Sequence, residues 1–211
     1  MGGGVGPARR RQTFFEWILE HRPETAAHPG ARLVQPICQG DYDGLCGLYC
    51  ILNAIRLVAA PYRILNHKES QTLFVTGVRF LDTAGILPKA VCWSIEKRRW
   101  HRLADVMRRE ARRSLGLTLH FDNPFANGQG VATAEALEAI ERMIGQHKAI
   151  MVFVRGAYRH YTVIAGYTPE SFKLFDSYGY RWIRKACCTT DPDEKARHQL
   201  HIESMIVVSV H

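Results

Sequence analysis

The sequence has no apolar run of the roughly 18 residues that a bilayer-spanning helix requires. Its longest apolar stretch, residues 45–60, is interrupted by Asn53 and Arg56. The first twelve residues, MGGGVGPARRRQ, are basic but have no apolar stretch behind them, so they do not read as a secretory signal. Gly6 stands where an N-myristoylation motif wants Ser or Thr. Six cysteines are present (Cys38, Cys46, Cys50, Cys92, Cys187 and Cys188), yet no two form a CxxC pair. The spacing suits neither a zinc ribbon nor a dense disulfide framework. Cys187-Cys188 with His198 and His201 is a poor tetrahedral set, so the reading carries no metal and no cofactor. Internal repeats and low-complexity linkers are also missing. These absences predict a flexible basic tail over 1–12 and a single domain over 13–211. Free thiols without a secretory signal suggest a reducing compartment, the cytoplasm, as the default location, with delivery as an effector as the variant.

What is present is an ordinary globular balance: 211 residues, 46% hydrophobic and 23% charged, enough chain to bury about 70% of its unfolded surface. The net charge of +8 is unevenly placed. Residues 94–114 contribute +5 and Arg9, Arg10 and Arg11 contribute +3, leaving the rest balanced.

Residues 13–20 read as a short amphipathic helix and 21–44 as a loop punctuated by Pro23, Pro29-Gly30 and Pro36. Residues 45–60 are apolar on almost every side, as in a buried helix. Helices are also expected over 68–81, 94–114 and 133–146, with Thr133 as an N-cap. The second of these has an apolar stripe of Trp100, Leu103, Ala104, Met107 and Ala111 at helical spacing. Strands are expected over 117–121, 149–154, 160–167, 171–177, 181–186 and 202–210, separated by Gly156, Thr168-Pro169 and Tyr178-Gly179. Helices followed by a meander of strands predict an α+β fold with an antiparallel sheet.

The chemically informative segment is Gln39-Gly40-Asp41-Tyr42-Asp43-Gly44-Leu45-Cys46-Gly47. It puts Cys46 in the first turn of a buried helix, where N–H groups and the macrodipole favour the nucleophilic thiolate. Gly47 is expected to keep the backbone beside the sulfur open to a substrate. The Gln39 amide and the Cys46 N–H would form an oxyanion hole. Asp43 is expected as the helix N-cap. A base is offered by His160 at the start of one strand, and the following strand ends in Asp176. If the two strands pair, Asp176 comes to the same end of the sheet as His160 and can orient its ring.

This order of Gln, Cys-Gly on a buried helix, His and Asp resembles papain-like cysteine peptidases. The compact arrangement is most similar to the double-glycine leader peptidases of bacteriocin exporters and related stand-alone bacterial proteins. The resemblance spans about residues 35–60 and 148–180. It implies a papain-like fold with its catalytic helix packed on the antiparallel sheet. It also implies Gln39 as the oxyanion residue, Cys46 as nucleophile, His160 as base and Asp176 as its orienting partner. The segment 61–147 matches nothing in that pattern. Because deamidases, transglutaminases and acyltransferases use the same fold and thioester, a toxin or effector of that kind is the alternative activity. A non-catalytic binding module using the basic helix is the alternative of another class.

Among the other histidines, His120 is the main rival base, followed by His201; His67, His101, His147 and His198 read as surface groups. The neighbouring Ser177 and the distant Asp122-Asn123 rival Asp176. Cys50 reads as a core residue, with resolution of an oxidised Cys46 as its chemical alternative. The substrate is expected to be a protein or peptide. The basic helix is a solvated face that would suit an acidic partner surface; no nucleic-acid module is recognisable.

Overall fold

The computed structural model describes residues 25–126 and 131–210. The expected basic tail and the helix over 13–20 lie outside them. The described chain is α+β, with five helices and nine strands.

The helices are α1 (Cys46–Ala59), α2 (His67–Thr83), α3 (Leu87–Trp93), α4 (Lys97–Leu115) and α5 (Thr133–Gly145). The strands are β1 (Ala26–Ala27), β2 (Leu119–Asp122), β3 (Ala149–Gly156), β4 (His160–Tyr167) and β5 (Ser171–Phe175). They continue with β6 (Trp182–Arg184), β7 (Cys188–Thr189), β8 (His198–Leu200) and β9 (Ile206–Val210). The main sheet runs β2-β9-β3-β4-β5-β6, every neighbouring pair antiparallel. Among the described residues, the one parallel ladder joins β7 to β8, and β8 pairs with the end of β3.

The period-two alternation of β3 explains the layering. Ala149 and Met151 face a core shared with α1, α2 and α4, whereas Ile150, Val152 and Val154 face a second core closed by Ala136, Ile140 and Ile144 of α5. Helices therefore cover both faces of the sheet. Every residue of the central strand β4 is buried, which is why its sequence is nearly all apolar.

Helix α1 is central: twelve of its fourteen residues are buried. Helix α4 seats its expected stripe of Trp100, Leu103, Ala104, Met107 and Ala111 against it. α2 starts with a reciprocal capping box between Asn66 and Glu69. Among the described residues, no helix is long and apolar enough to cross a membrane.

The elements also depart from the sequence expectations. Residues 21–44 were expected to be a loop but include β1, which pairs with Gly166 and Tyr167 of β4, and a 3-10 turn at Pro29–Arg32. The strand expected over 202–210 begins only at Ile206, after a 3-10 turn at Ile202–Ser204. The helix expected from Ser94 begins at Lys97, because Ser94 instead ends the separate short helix α3 with a positive φ and Glu96 is the extended cap of α4. Thr133 is the first residue of α5 rather than its cap; its hydroxyl instead accepts the Thr190 N–H at 3.1 Å and ties α5 to β7.

Candidate active site

Helix α1 begins at Cys46, with Leu45 at its cap position and no side-chain cap. The sulfur thus lies at the positive end of a fourteen-residue helix. Asp43, expected as the N-cap, closes the preceding loop instead. Its carboxylate accepts the Gly40 N–H at 2.8 Å and the Leu45 N–H at 3.0 Å. Its charge is engaged there, so it is held in the loop by the donors around it.

Gly47 is also different from its expectation. A Cβ at this position would lie 2.9 Å from Trp100 Cδ1 and 3.3 Å from Tyr161 Cδ2. The Gly47 carbonyl accepts a hydrogen bond from Trp100 Nε1 at 2.9 Å. Its small size therefore serves the approach of α1 to α4 and β4, rather than that of a substrate.

The β4–β5 hairpin brings the histidine and aspartate together. Val163 pairs with Phe175 and Ile164 with Leu174, a register that aligns position 160 with the segment just beyond β5. The strand ends at Phe175, one residue earlier than the aspartate, so Asp176 turns out of the ladder. His160 Nε2 and Asp176 Oδ2 are 2.7 Å apart and both residues are buried. The other carboxylate oxygen accepts the backbone N–H groups of Tyr178, at 2.8 Å, and Tyr180, at 3.2 Å. With Nε2 facing Asp176, Nδ1 is the ring nitrogen left for Cys46.

The ionisation of these groups follows from opposing effects. Burial penalises the Cys46 thiolate, but the imidazole of His160 as hydrogen-bond partner and charge, the Tyr161 N–H and the Ser94 hydroxyl together bring the thiol below its ordinary value. Burial likewise disfavours the imidazolium, yet Asp176 and then Cys46 raise His160 from 6.5 to about 9. The Asp176 carboxyl, which burial alone would raise, is held below the ordinary value chiefly by His160. Each shift favours the charged form of its group: the thiol is lowered, the imidazole raised and the carboxyl lowered.

Gln39 lines the same cleft of about 410 Å³ as Cys46 and His160. Its position is set by the other half of the site: its N–H donates to Ser177 O at 3.0 Å, and its Oε1 accepts from the Ser177 hydroxyl at 3.1 Å. Nε2 donates to Asp43 O at 3.2 Å, leaving its second hydrogen for the cleft. The strand of chain leading to Gln39 is pinned by buried Asn53, whose amide makes two hydrogen bonds to the backbone of Ile37. All four expected residues therefore converge, with Asp176 behind His160 and the other three on the cleft.

The rivals do not converge. His120 is exposed on β2, three strands from β4. His201 packs its ring against Phe153, and burial lowers its pKa. Asn123 closes a turn by accepting the Phe125 N–H and donating to Glu203 O. Cys50 donates to Thr162 O at 3.2 Å, and burial pushes its thiol up, as suits a core residue. Of the histidines read as surface groups, His198 is buried against Tyr158, and His101 is half-buried. Cys188 donates to Arg184 O, and burial pushes it up to about 12. Among the described residues, no three His, Cys, Asp or Glu side chains are grouped closely enough to hold a metal.

Several residues of the site had no distinct sequence signal. Tyr180 stacks on Tyr158 with ring centroids 3.9 Å apart and meets the His160 ring edge-on at 5.6 Å. Trp93 and Tyr178, 82% and 58% exposed, line the cleft and are open to a bound chain. Ser94 touches the sulfur itself, with Oγ 3.6 Å from Cys46 Sγ. Only the nearness of Tyr178 to Asp176 in sequence could have drawn attention to any of them beforehand. A buried thiol with an imidazole, a carboxylate behind it and an amide donor beside it can form and stabilise a tetrahedral adduct at a carbonyl carbon. No protein-family model matches the chain, and no curated protein matches it.

Proposed function

We propose that this chain is a papain-like cysteine hydrolase that cleaves amide bonds through a thioester, with peptides or proteins as substrates. The observation that carries the reading is the buried 2.7 Å contact of His160 with Asp176, placed beside a thiol at a helix start. The Cys46 thiolate attacks the carbonyl carbon, and the oxyanion is received by the free Gln39 amide hydrogen and the Cys46 N–H. The His160 imidazolium protonates the leaving amine as the C–N bond breaks, leaving a thioester on Cys46. His160, now neutral, takes a proton from water, whose oxygen attacks the thioester. Collapse releases the carboxylate product and restores the thiolate–imidazolium pair. Asp176 keeps the imidazole oriented throughout. The arginine-rich outer side of α4 suits a substrate or partner with an acidic surface.

The test is intact-mass labelling with a thiol-directed probe on wild type, Cys46→Ala and His160→Ala, followed by mass spectrometry of candidate targets. Rapid modification mapped to Cys46 and lost in both variants, with new peptide termini, supports hydrolysis. A one-dalton gain on target glutamines would instead identify a deamidase, and cross-linked products a transglutaminase. Labelling of exposed Cys38 and Cys92 without preference for Cys46 would leave only a binding module.

A further inference from the structure

We propose that Ser94 is a further member of the reaction centre, donating its hydroxyl hydrogen to the Cys46 thiolate and fixing the sulfur in place. This deepens the reading of Cys46 as nucleophile and rests on it. The contact joins residues 48 apart in sequence, Oγ to Sγ at 3.6 Å. Between a hydroxyl and a thiol either atom can donate, but a thiolate can only accept, so ionisation fixes the direction.

The backbone supplies an independent observation. Ser94 has φ 78° and ψ 175°, a conformation that is almost exclusive to glycine. Among the described residues, only His147 and Arg159 besides Ser94 are non-glycine residues with positive φ. A residue chosen for local conformation alone would be glycine here. Serine instead retains a Cβ at a steric cost, and its hydroxyl points to the nucleophile.

The surroundings hold Ser94 from two sides. Its N–H donates to Ala90 O at 3.1 Å at the end of α3. Gly44, two residues before Cys46, donates to Val91 O at 2.6 Å, and a Cβ on Gly44 would lie 2.7 Å from that oxygen and 3.2 Å from Ser94 N. On the other side, Tyr161 OH donates to Ile95 O at 3.0 Å and links the segment to β4. The end of α3, the start of α1 and β4 thus clamp the hydroxyl onto the sulfur. The titratable groups facing the thiol are His160 and Tyr161 from β4, Asp176 behind His160, and Cys50 one turn along α1. The cleft lining holds one arginine, Arg159, next to His160; on the α3 side the lining is Cys92, Trp93 and Ser94, so Ser94 provides a neutral donor from that wall.

The experiment compares wild type, Ser94→Gly and Ser94→Ala. Iodoacetamide alkylation is followed against pH and mapped to Cys46 by mass spectrometry, alongside thermal unfolding of each protein. Glycine relieves the backbone and removes the donor, whereas alanine removes the donor and keeps the Cβ. Both variants are expected to raise the Cys46 thiol pKa, read as severalfold, up to about tenfold, slower alkylation at a pH below it. The unfolding midpoint of Ser94→Gly should equal or exceed that of wild type, and that of Ser94→Ala should lie below the glycine variant. An unchanged Cys46 pH profile in the folded glycine variant would overturn the proposal. So would a glycine variant less stable than the alanine one. Since alkylation needs no substrate, a normal Ser94 effect without turnover of any peptide would refute the hydrolase reading and leave this inference standing.

Discussion

Replacing Asp176 with Asn isolates the orienting group with little change of shape. In the wild type, one carboxylate oxygen meets His160 Nε2 at 2.7 Å and the other accepts from Tyr178 and Tyr180 N–H. An asparagine offers these three donors one acceptor oxygen and an NH2 group that can only donate. With its oxygen toward His160, its NH2 meets two backbone N–H groups. With its oxygen toward the backbone, its NH2 meets Nε2 and drives the imidazole proton to Nδ1, on the sulfur side, where it can no longer accept from the thiol. The cost is that of an unsatisfied buried donor, about 1–3 kcal/mol. Loss of the charge adds to it: the rise of His160 from 6.5 to about 9 corresponds to roughly 3 kcal/mol, shared between Asp176 and Cys46.

The sign follows from linkage. Because His160 is raised in the folded state, its contribution is complete below about 6.5 and lost as the pH rises through about 9. Asp176 is lowered, so its contribution disappears only as the pH falls below the ordinary carboxylate range. Denaturant unfolding of wild type and Asp176→Asn should therefore differ most near pH 6, by about 2–4 kcal/mol on the magnitudes above. The difference should shrink toward the unsatisfied-donor cost alone by pH 10. In parallel, Cys46 alkylation in the variant should shift toward the titration of an ordinary thiol. A stability difference independent of pH between 6 and 10, or an unchanged alkylation profile, would refute the reasoning.

Gly47→Ala should destabilise the fold by about 1–3 kcal/mol in urea although alanine is the better helix former, since the new Cβ meets Trp100; an equal or higher midpoint would be contrary. Gln39→Ala should lower kcat on a cleaved peptide by about 10²–10³-fold, as for loss of an oxyanion donor, while Cys46 alkylation by a small reagent persists; equal losses in both would indicate a structural role. Asn53→Ala leaves the Ile37 N–H and carbonyl without their partner and should cost about 2–3 kcal/mol. Because Ile37 carries the chain to Gln39, kcat should fall in this variant as well, and an unaltered kcat would disconnect the two. For the wild type, kcat/KM should decline above pH 9 as His160 loses its proton, and a plateau through pH 10 would contradict the raised imidazole.

The helices were legible where their patterns were strong. The stripe of α4 from Trp100 to Ala111 and the all-apolar character of α1 have regular spacing that burial dictates. The β4–β5 pairing was legible because a short turn leaves few registers. By contrast, β1, β7 and β8 are two or three residues long and owe their existence to partners elsewhere in the chain, so no local periodicity announces them. Ser94 illustrates the same failure in the site: before a basic amphipathic run, serine reads as a helix start, and nothing local gives its positive φ.

By itself, then, the sequence determined that a cysteine opens a buried helix, that a histidine and an aspartate flank one hairpin, and that both elements are apolar enough to pack together. These are local facts of composition and spacing, fixed by the hydrophobic effect and short turns. Only the tertiary structure decided which carboxylate oxygen serves the imidazole, what holds Gln39, why Gly47 must be small, and that Ser94 reaches the sulfur. Those outcomes depend on contacts between residues as far apart as Gln39 and Ser177, 138 positions in sequence. Their geometry exists only once both faces of the sheet are packed.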